Sequence, residues 1–321
     1  MTTHDSPLTT HPFRDNRDMI AFAALMAFGL VAPLMIYPVF LMKVLCFALF
    51  AIAFNLLIGY VGLLSFGHAM FFGFAAYISG YSVKALGFPT ELGILAGTAV
   101  AAVLGLVAGA IAIRRQGIYF AMVTLALAQM VFFFCLQAKF TGGEDGIQAI
   151  PRRAILGVID IKNDFIFYYV VLAIFAVGFL IIHRTIHSPF GGVLKAIREN
   201  EARAISLGYK TDRYKLVAFV LSATLAGLAG STKAIVFQIA SLTDVTWQMS
   251  GEVVLMALVG GLGTVFGPVA GAFIVSAMQN YLGQIVDQWV TVIQGAIFVL
   301  CVLVFRRGVV GELANLLRIR L

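Results

Sequence analysis

Charge is scarce in this sequence. Lysine, arginine, aspartate and glutamate make up 12% of the 321 residues, about half the share of an ordinary soluble domain, and that shortage excludes a soluble enzyme. Cysteine is scarcer still: Cys46, Cys135 and Cys301 all lie in apolar runs, and none has the spacing of a disulfide framework or a zinc site. No Gly-x4-Gly-Lys-Ser/Thr phosphate loop occurs, so the chain cannot hydrolyse ATP by that chemistry. Gly-x-Ser-Gly and His-Glu-x2-His are missing too, which leaves an intramembrane enzyme, with Ser65 or Ser250 as nucleophile and His68 as base, without a supporting motif.

What is abundant is apolar: 61% of the residues, enough for about eight to ten helical crossings at roughly 20 residues each. Charge-free runs predict spans near 20–42, 44–61, 66–83, 92–113, 118–136, 166–182, 216–236, 250–263, 266–282 and 289–305. The expected fold is an all-α integral membrane protein, a polytopic bundle of about ten spans. Residues 1–18 read as a polar tail, 19–305 as the membrane domain and 306–321 as a second tail. The runs at 44–61 and 250–263 are short enough to be broken or re-entrant. Among all the acidic and basic residues, only Lys233 and Glu252 fall inside these limits.

Basic residues collect on the cytoplasmic side of a membrane protein, and one orientation accounts for every basic cluster here. With the N-terminus inside, Arg14 and Arg17, Arg114 and Arg115, the segment 184–215 and the final Arg306, Arg307, Arg318 and Arg320 all face the cytoplasm. Segment 183–215 alone holds seven Lys/Arg against three acids, whereas the outer loop 137–165 is balanced. Both termini are thus expected inside, and the net charge of +7 is topology rather than a nucleic-acid surface.

Small residues recur every four positions at Gly97, Ala101, Gly105 and Gly109, at Ala223, Gly227 and Ser231, and at Gly263, Gly267 and Gly271. Such stripes let helix backbones approach closely in lipid. Polar side chains within the spans are fewer and carry two readings each. Ser65 and His68, in a glycine-rich stretch, either border a translocation path or satisfy unwound backbone. Asn55, Thr124 and Gln129 read as hydrogen-bonders between helices, with Gln129 also a candidate for the path. Lys233 and Glu252 either pair beside an entrance to it or reach water separately. His183 and His187 have metal-ligand spacing but no third ligand, so no metal site is expected.

The segment after Ser188 is the most informative. Ser188 suits an N-cap, Pro189 the first helical position and Gly208 a stop. Phe190, Val193, Leu194 and Ile197 form one apolar stripe at i, i+3, i+4 and i+7, with Lys195, Arg198 and Glu199 facing away and Glu199 spaced to pair with Arg203. An amphipathic helix lying on lipid headgroups is one reading. The other is a docking element for a cytoplasmic partner, favoured by Glu199 and Glu201 among the basic residues; its expected contacts are the stripe together with Lys195, Arg198, Glu199, Glu201, Arg203 and Gly208.

Ser188 to Gly208, followed by Lys215-Leu-Val-Ala-Phe-Val-Leu-Ser-Ala, resembles the cytoplasmic loop and next helix of LivM-type permease subunits of branched-chain amino acid ABC transporters. Four more stretches agree: Gly62-Leu-Leu-Ser-Phe-Gly-His-Ala-Met-Phe-Phe-Gly, Gly117-Ile-Tyr-Phe-Ala-Met-Val-Thr-Leu-Ala-Leu-Ala-Gln, Thr141-Gly-Gly-Glu-Asp-Gly and Gly260-Gly-Leu-Gly-Thr-Val-Phe-Gly-Pro. The resemblance implies a type II ABC importer-like permease of the bacterial inner membrane. It also implies a second, LivH-type permease subunit, two cytoplasmic ATPases that bind ATP and Mg, and a periplasmic substrate-binding protein, with no cofactor in this chain. An ion-coupled secondary carrier or channel working alone is the principal rival; it calls for charged residues near the midplane, where the predicted spans have none.

Overall fold

The computed structural model describes residues 12–154 and 161–286, with a few isolated positions between 292 and 299. The expected span at 289–305, the tail at 306–321 and most of the N-terminal tail lie outside the described residues. Among those described, the chain is helical, its β-structure limited to a single bridge between Ile147 and Ala240.

The first two spans divide at a different place from the one the charge pattern suggests. Helix α1 runs Pro12–Val31, starting inside the stretch expected as a tail, and α2 runs Pro38–Asn55. Between them Pro33 sits in a short turn and Pro38 opens α2 at a position where its missing N–H costs nothing. Lys43, which falls between the expected spans 20–42 and 44–61, therefore lies within α2. The stretch expected to be short is in fact long: α2 passes into a wider π turn, Leu56–Val61, closed by Gly62 with φ +82°.

There follow α3 (His68–Lys84), α4 (Thr90–Ala112), α5 (Ile118–Gln137), α6 (Asp164–Ile186), α7 (Pro189–Glu199), α8 (Glu201–Ser206), α9 (Thr211–Phe237), α10 (Trp247–Gly260) and α11 (Gly267–Val286). Among the described residues five helices are both long and apolar enough to cross a membrane: α2 with its π turn, α4, α5, α6 and α9. Helix α10, with 14 residues, reaches about 21 Å at 1.5 Å per residue, short of a roughly 30 Å hydrocarbon core. It turns back as an antiparallel hairpin with α11, so close that Gly271 meets the carbonyl of Met256.

Nearly all of α2 is buried by other helices, whereas α4, α5 and α6 turn most of their surface outward. The outward residues are apolar, among them Val103, Leu106, Met130, Phe133 and Leu180, a belt that suits lipid rather than water. The small-residue stripes do what their spacing suggests. Gly105 packs on Ala223, Gly227 on Ala101 and Gly97 on Ser231, bringing α4 and α9 into backbone-level contact.

The connections sort to two ends. At one end Gln116 donates to Glu201 (3.0 Å), and the Lys215 ammonium pairs with the same carboxylate. The 113–117 turn, α7, α8 and the start of α9 therefore share that end. At the other, Lys84 donates to the Gln148 carbonyl (2.6 Å), Arg153 to Gly87 (2.5 Å), and Arg152 to Asp164 and the Val236 carbonyl (both 2.6 Å). The segment 138–154 caps that opposite end, in the partition that the basic clusters imply.

Candidate functional site

The segment α7–α8 is built as its sequence directs. Ser188 Oγ accepts the Gly191 N–H (3.3 Å), Pro189 holds the first helical position and Gly208, at φ +89°, closes α8. Asn200 departs from a single helix: its extended backbone breaks the run, and its side chain accepts the Arg203 N–H (3.0 Å) to start α8. The break takes Glu199 and Arg203 off a common helix face, and no ion pair between them is found among the described residues.

The apolar stripe faces inward, which corrects its expected role as the partner-binding face. Leu194 is fully buried and Ile197 nearly so, within the chain's own core, while Phe190 is half-buried and stacks on Tyr214 (5.6 Å between centroids). Val193 is half-buried as well. The stripe is satisfied before any partner arrives. Lys195 and Arg198 stand exposed on the side away from the stripe, as expected, yet both reach back to the bundle. The Lys195 ammonium stands 5.6 Å above the Tyr60 ring, and the Arg198 guanidinium donates to the Gly59 carbonyl within the π turn. Glu201 is engaged by Lys215 and Gln116. The exposed side of α7–α8 carries Lys195, Arg198, Glu199 and Arg203 together with three apolar side chains that the stripe did not mark: Ile205 (55% exposed), Leu207 (68%) and Tyr209 (41%). Their signal in the sequence is that they are apolar yet off the stripe.

Arg198 also meets a second element. Asn55 donates to the Thr264 carbonyl (2.8 Å) and accepts the Gly263 N–H (3.0 Å), clamping the α10–α11 turn to the end of α2. A Cβ on Gly263 would stand 3.3 Å from Arg198 Nη1, and one on Gly62 3.2 Å from its Cγ. One side chain of α7 thus touches the end of the central helix and the tip of the α10–α11 hairpin together. Asn55 bonds between elements as expected; Thr124 does not, its hydroxyl donating to Ala121 in its own helix (2.9 Å).

Ser65 and His68 lie inside the packed chain, with no exposed surface. Ser65 Oγ accepts the Gly67 N–H (3.3 Å), and Ser250 Oγ the Ala69 N–H (2.9 Å), so both satisfy unwound backbone at the start of α3. His68 Nε2 lies 2.8 Å from Ser222 Oγ, which donates to the Ala53 carbonyl (2.5 Å). That network places the imidazole proton on Nε2, with Phe54, Phe71 and Phe219 presenting edges to the ring. Neither Ser65 nor Ser250 is the hydrogen-bond partner of His68, and its Nδ1 has no partner to orient it, so the parts of a Ser–His nucleophile are not assembled. Gln129 stands half-buried on α5.

Lys233 pairs with Asp244, at 2.5 and 2.6 Å to the two carboxylate oxygens, and not with Glu252. Asp244 is 1% exposed and was not singled out in the sequence, being polar in a turn beyond the apolar run. Glu252 accepts from Gln279 instead (3.1 Å). The His183 and His187 rings lie 4.2 Å apart between centroids with their planes tilted by 33°, and His187 Nδ1 lies 2.8 Å from the His183 carbonyl.

A profile of the branched-chain amino acid transport system permease component matches residues 35–302. High-affinity branched-chain amino acid transport permease proteins LivM of Salmonella typhimurium and of Escherichia coli K12 are each 30% identical over 253 residues, covering 71% of this chain. A probable LivM permease of Methanocaldococcus jannaschii is 27% identical over 180 residues, covering 54% of the chain and 51% of the relative. The chain spans 59% of the length of the two enteric relatives. No solved structure matches.

Proposed function

The chain belongs to the family of branched-chain amino acid transport permease components, and from that premise we propose that it is one membrane subunit of an ATP-binding cassette importer for branched-chain or related small amino acids. As a multi-pass membrane protein it pairs with a second, LivH-type permease, sits in the bacterial inner membrane with both termini inside and completes a type II bundle of about ten spans. Two cytoplasmic ATPases bind ATP and Mg and drive it; a periplasmic binding protein delivers substrate.

The observation that carries this reading is the α7–α8 segment. Its apolar stripe and two of its charges are used to anchor it to the membrane bundle, through Leu194, Ile197 and the Arg198–Gly59 bond, while Ile205, Leu207 and Tyr209 remain exposed beside Glu199 and Arg203. An element fixed firmly on one side and apolar on the other suits transmission of force from a docked protein. In this role Arg198 is the link from the docked ATPase to α2 and the α10–α11 hairpin, with Lys195, Glu201 and Gly208 holding the segment's shape.

The test is uptake by the assembled complex. The chain is co-purified with the permease and ATPases encoded beside it, reconstituted into vesicles and supplied with the neighbouring secreted binding protein. Uptake of radiolabelled leucine, isoleucine or valine that requires ATP and the binding protein is the expected result. Uptake driven by an ion gradient without ATP would establish the carrier reading instead.

A further inference from the structure

The membrane-crossing helices differ in what they turn outward. Among the five, α5 is the least covered by the rest of the chain. The large exposed side chains of α4 are aliphatic throughout, as at Leu95, Val103, Leu106 and Val107, a surface that lipid tails satisfy. On α6 the exposed aromatics, Phe165 and Tyr169, keep to the first two turns, at headgroup level, and its middle is aliphatic at Val177 and Leu180. Helix α5 is different. Beyond Ile118, its large exposed side chains are Tyr119, Met122, Met130, Phe133 and Phe134, the aromatic and methionine composition that is enriched where proteins meet proteins.

Gln129 adds a second, independent observation. It stands at mid-span on α5, half-buried beside that outward face. Half-buried hydroxyls elsewhere in the spans are satisfied within their own helix: Thr98 donates to the Ile94 carbonyl (2.8 Å) and Thr224 to that of Val220 (2.7 Å). The Gln129 amide, with two donor hydrogens and an acceptor oxygen, makes no hydrogen bond among the described residues. Lipid tails offer it none either, and an unsatisfied amide in hydrocarbon is costly. Whatever covers this face therefore brings hydrogen-bonding groups to the middle of the bilayer. Its flanks of Met122, Met130 and Phe133 disfavour water as that cover. Ala126, exposed between Met122 and Met130 and one turn before Gln129, leaves a notch into which a facing helix can press.

We propose that the outward face of α5 around Ala126 and Gln129 is the seam with the second permease subunit, a helix of which fills the Ala126 notch and supplies the hydrogen-bond partner of the Gln129 amide. The inference rests on the permease reading and deepens it. Of the partners in that reading, the ATPases and the binding protein act from outside the bilayer, so the second permease alone reaches the depth of Gln129.

The test uses the membrane-embedded complex with its two permeases differently tagged. A benzophenone side chain replaces Met130 or, in a control chain, Leu180, which is exposed at mid-span on α6. Light should join position 130 to the second permease and position 180 to lipid. An adduct of 130 with lipid alone, or with a second copy of this chain, overturns the proposal. Gln129→Leu suits lipid and helix packing alike, so the variant should fold at wild-type yield. It should weaken retention of the second permease in detergent by about threefold, the worth of an average hydrogen bond between membrane helices; unchanged retention likewise overturns the proposal. A wild-type chain that retains no second permease at all would overturn the permease reading instead, so the two failures are distinct.

Discussion

Lys215 shows how much an individual residue hides from a linear reading. Its side chain is 3% exposed at the start of α9, and Glu201, 14 residues earlier and 22% exposed, supplies its counter-charge. Removing one member of a buried pair leaves the other charge uncompensated, at about 3 to 5 kcal/mol, whereas replacing both by apolar groups is often neutral. Water reaches part of Glu201, so the lower end applies: Glu201→Ala should destabilise the protein by about 3 kcal/mol, and adding Lys215→Met should recover most of it. Thermal unfolding of the detergent-solubilised protein reads both, and equal midpoints for the single and double variants would contradict the pair. The sequence marks Glu201 only as an acid among bases, because its partner lies beyond a chain reversal that no helical spacing spans. Asp244 beside Lys233 and Ser222 beside His68 are hidden for the same reason.

Elements were legible where local chemistry decides them. Ser188, Pro189 and Gly208 set the limits of the α7–α8 segment as read, and the glycine stripe of α4 marks a close helix contact, which the structure makes with α9. The reading fails where an amphipathic face has two possible takers. The stripe of α7 is genuine, but the chain's own core claims it, and the apolar side chains left exposed are Ile205, Leu207 and Tyr209. Likewise a run without charge concealed the break at Ala32–Tyr37, which two prolines, not charge, determine. The most consequential contact at this scale is the Arg198–Gly59 bond, which ties α7 to the π turn after α2. Arg198→Met keeps the stem against Gly62 and deletes the donor. The expected outcome is a complex that assembles and hydrolyses ATP but moves several-fold less substrate per ATP, with Arg198→Lys intermediate; an unchanged ratio of uptake to hydrolysis would remove Arg198 from the coupling.

For the whole molecule, composition alone places the chain in a membrane, and the basic clusters at 114–115 and 184–215 share one end of the bundle as their charge suggests. The span count is less legible, since α3 and α10 are too short to be judged by run length and α10 folds back on α11. In the proposed importer the exposed side of α7–α8 seats a motor protein; the alternative is that it lies on lipid. Photo-cross-linking separates them directly. A benzophenone side chain is placed at Leu207, 68% exposed, and in a control chain at Val103, 62% exposed in the apolar belt of α4. In the membrane-embedded complex the probe at 207 should yield an adduct with the ATPase subunit and the probe at 103 should not. An adduct at 207 with lipid alone, in a complex that retains its ATPases, would contradict the claim.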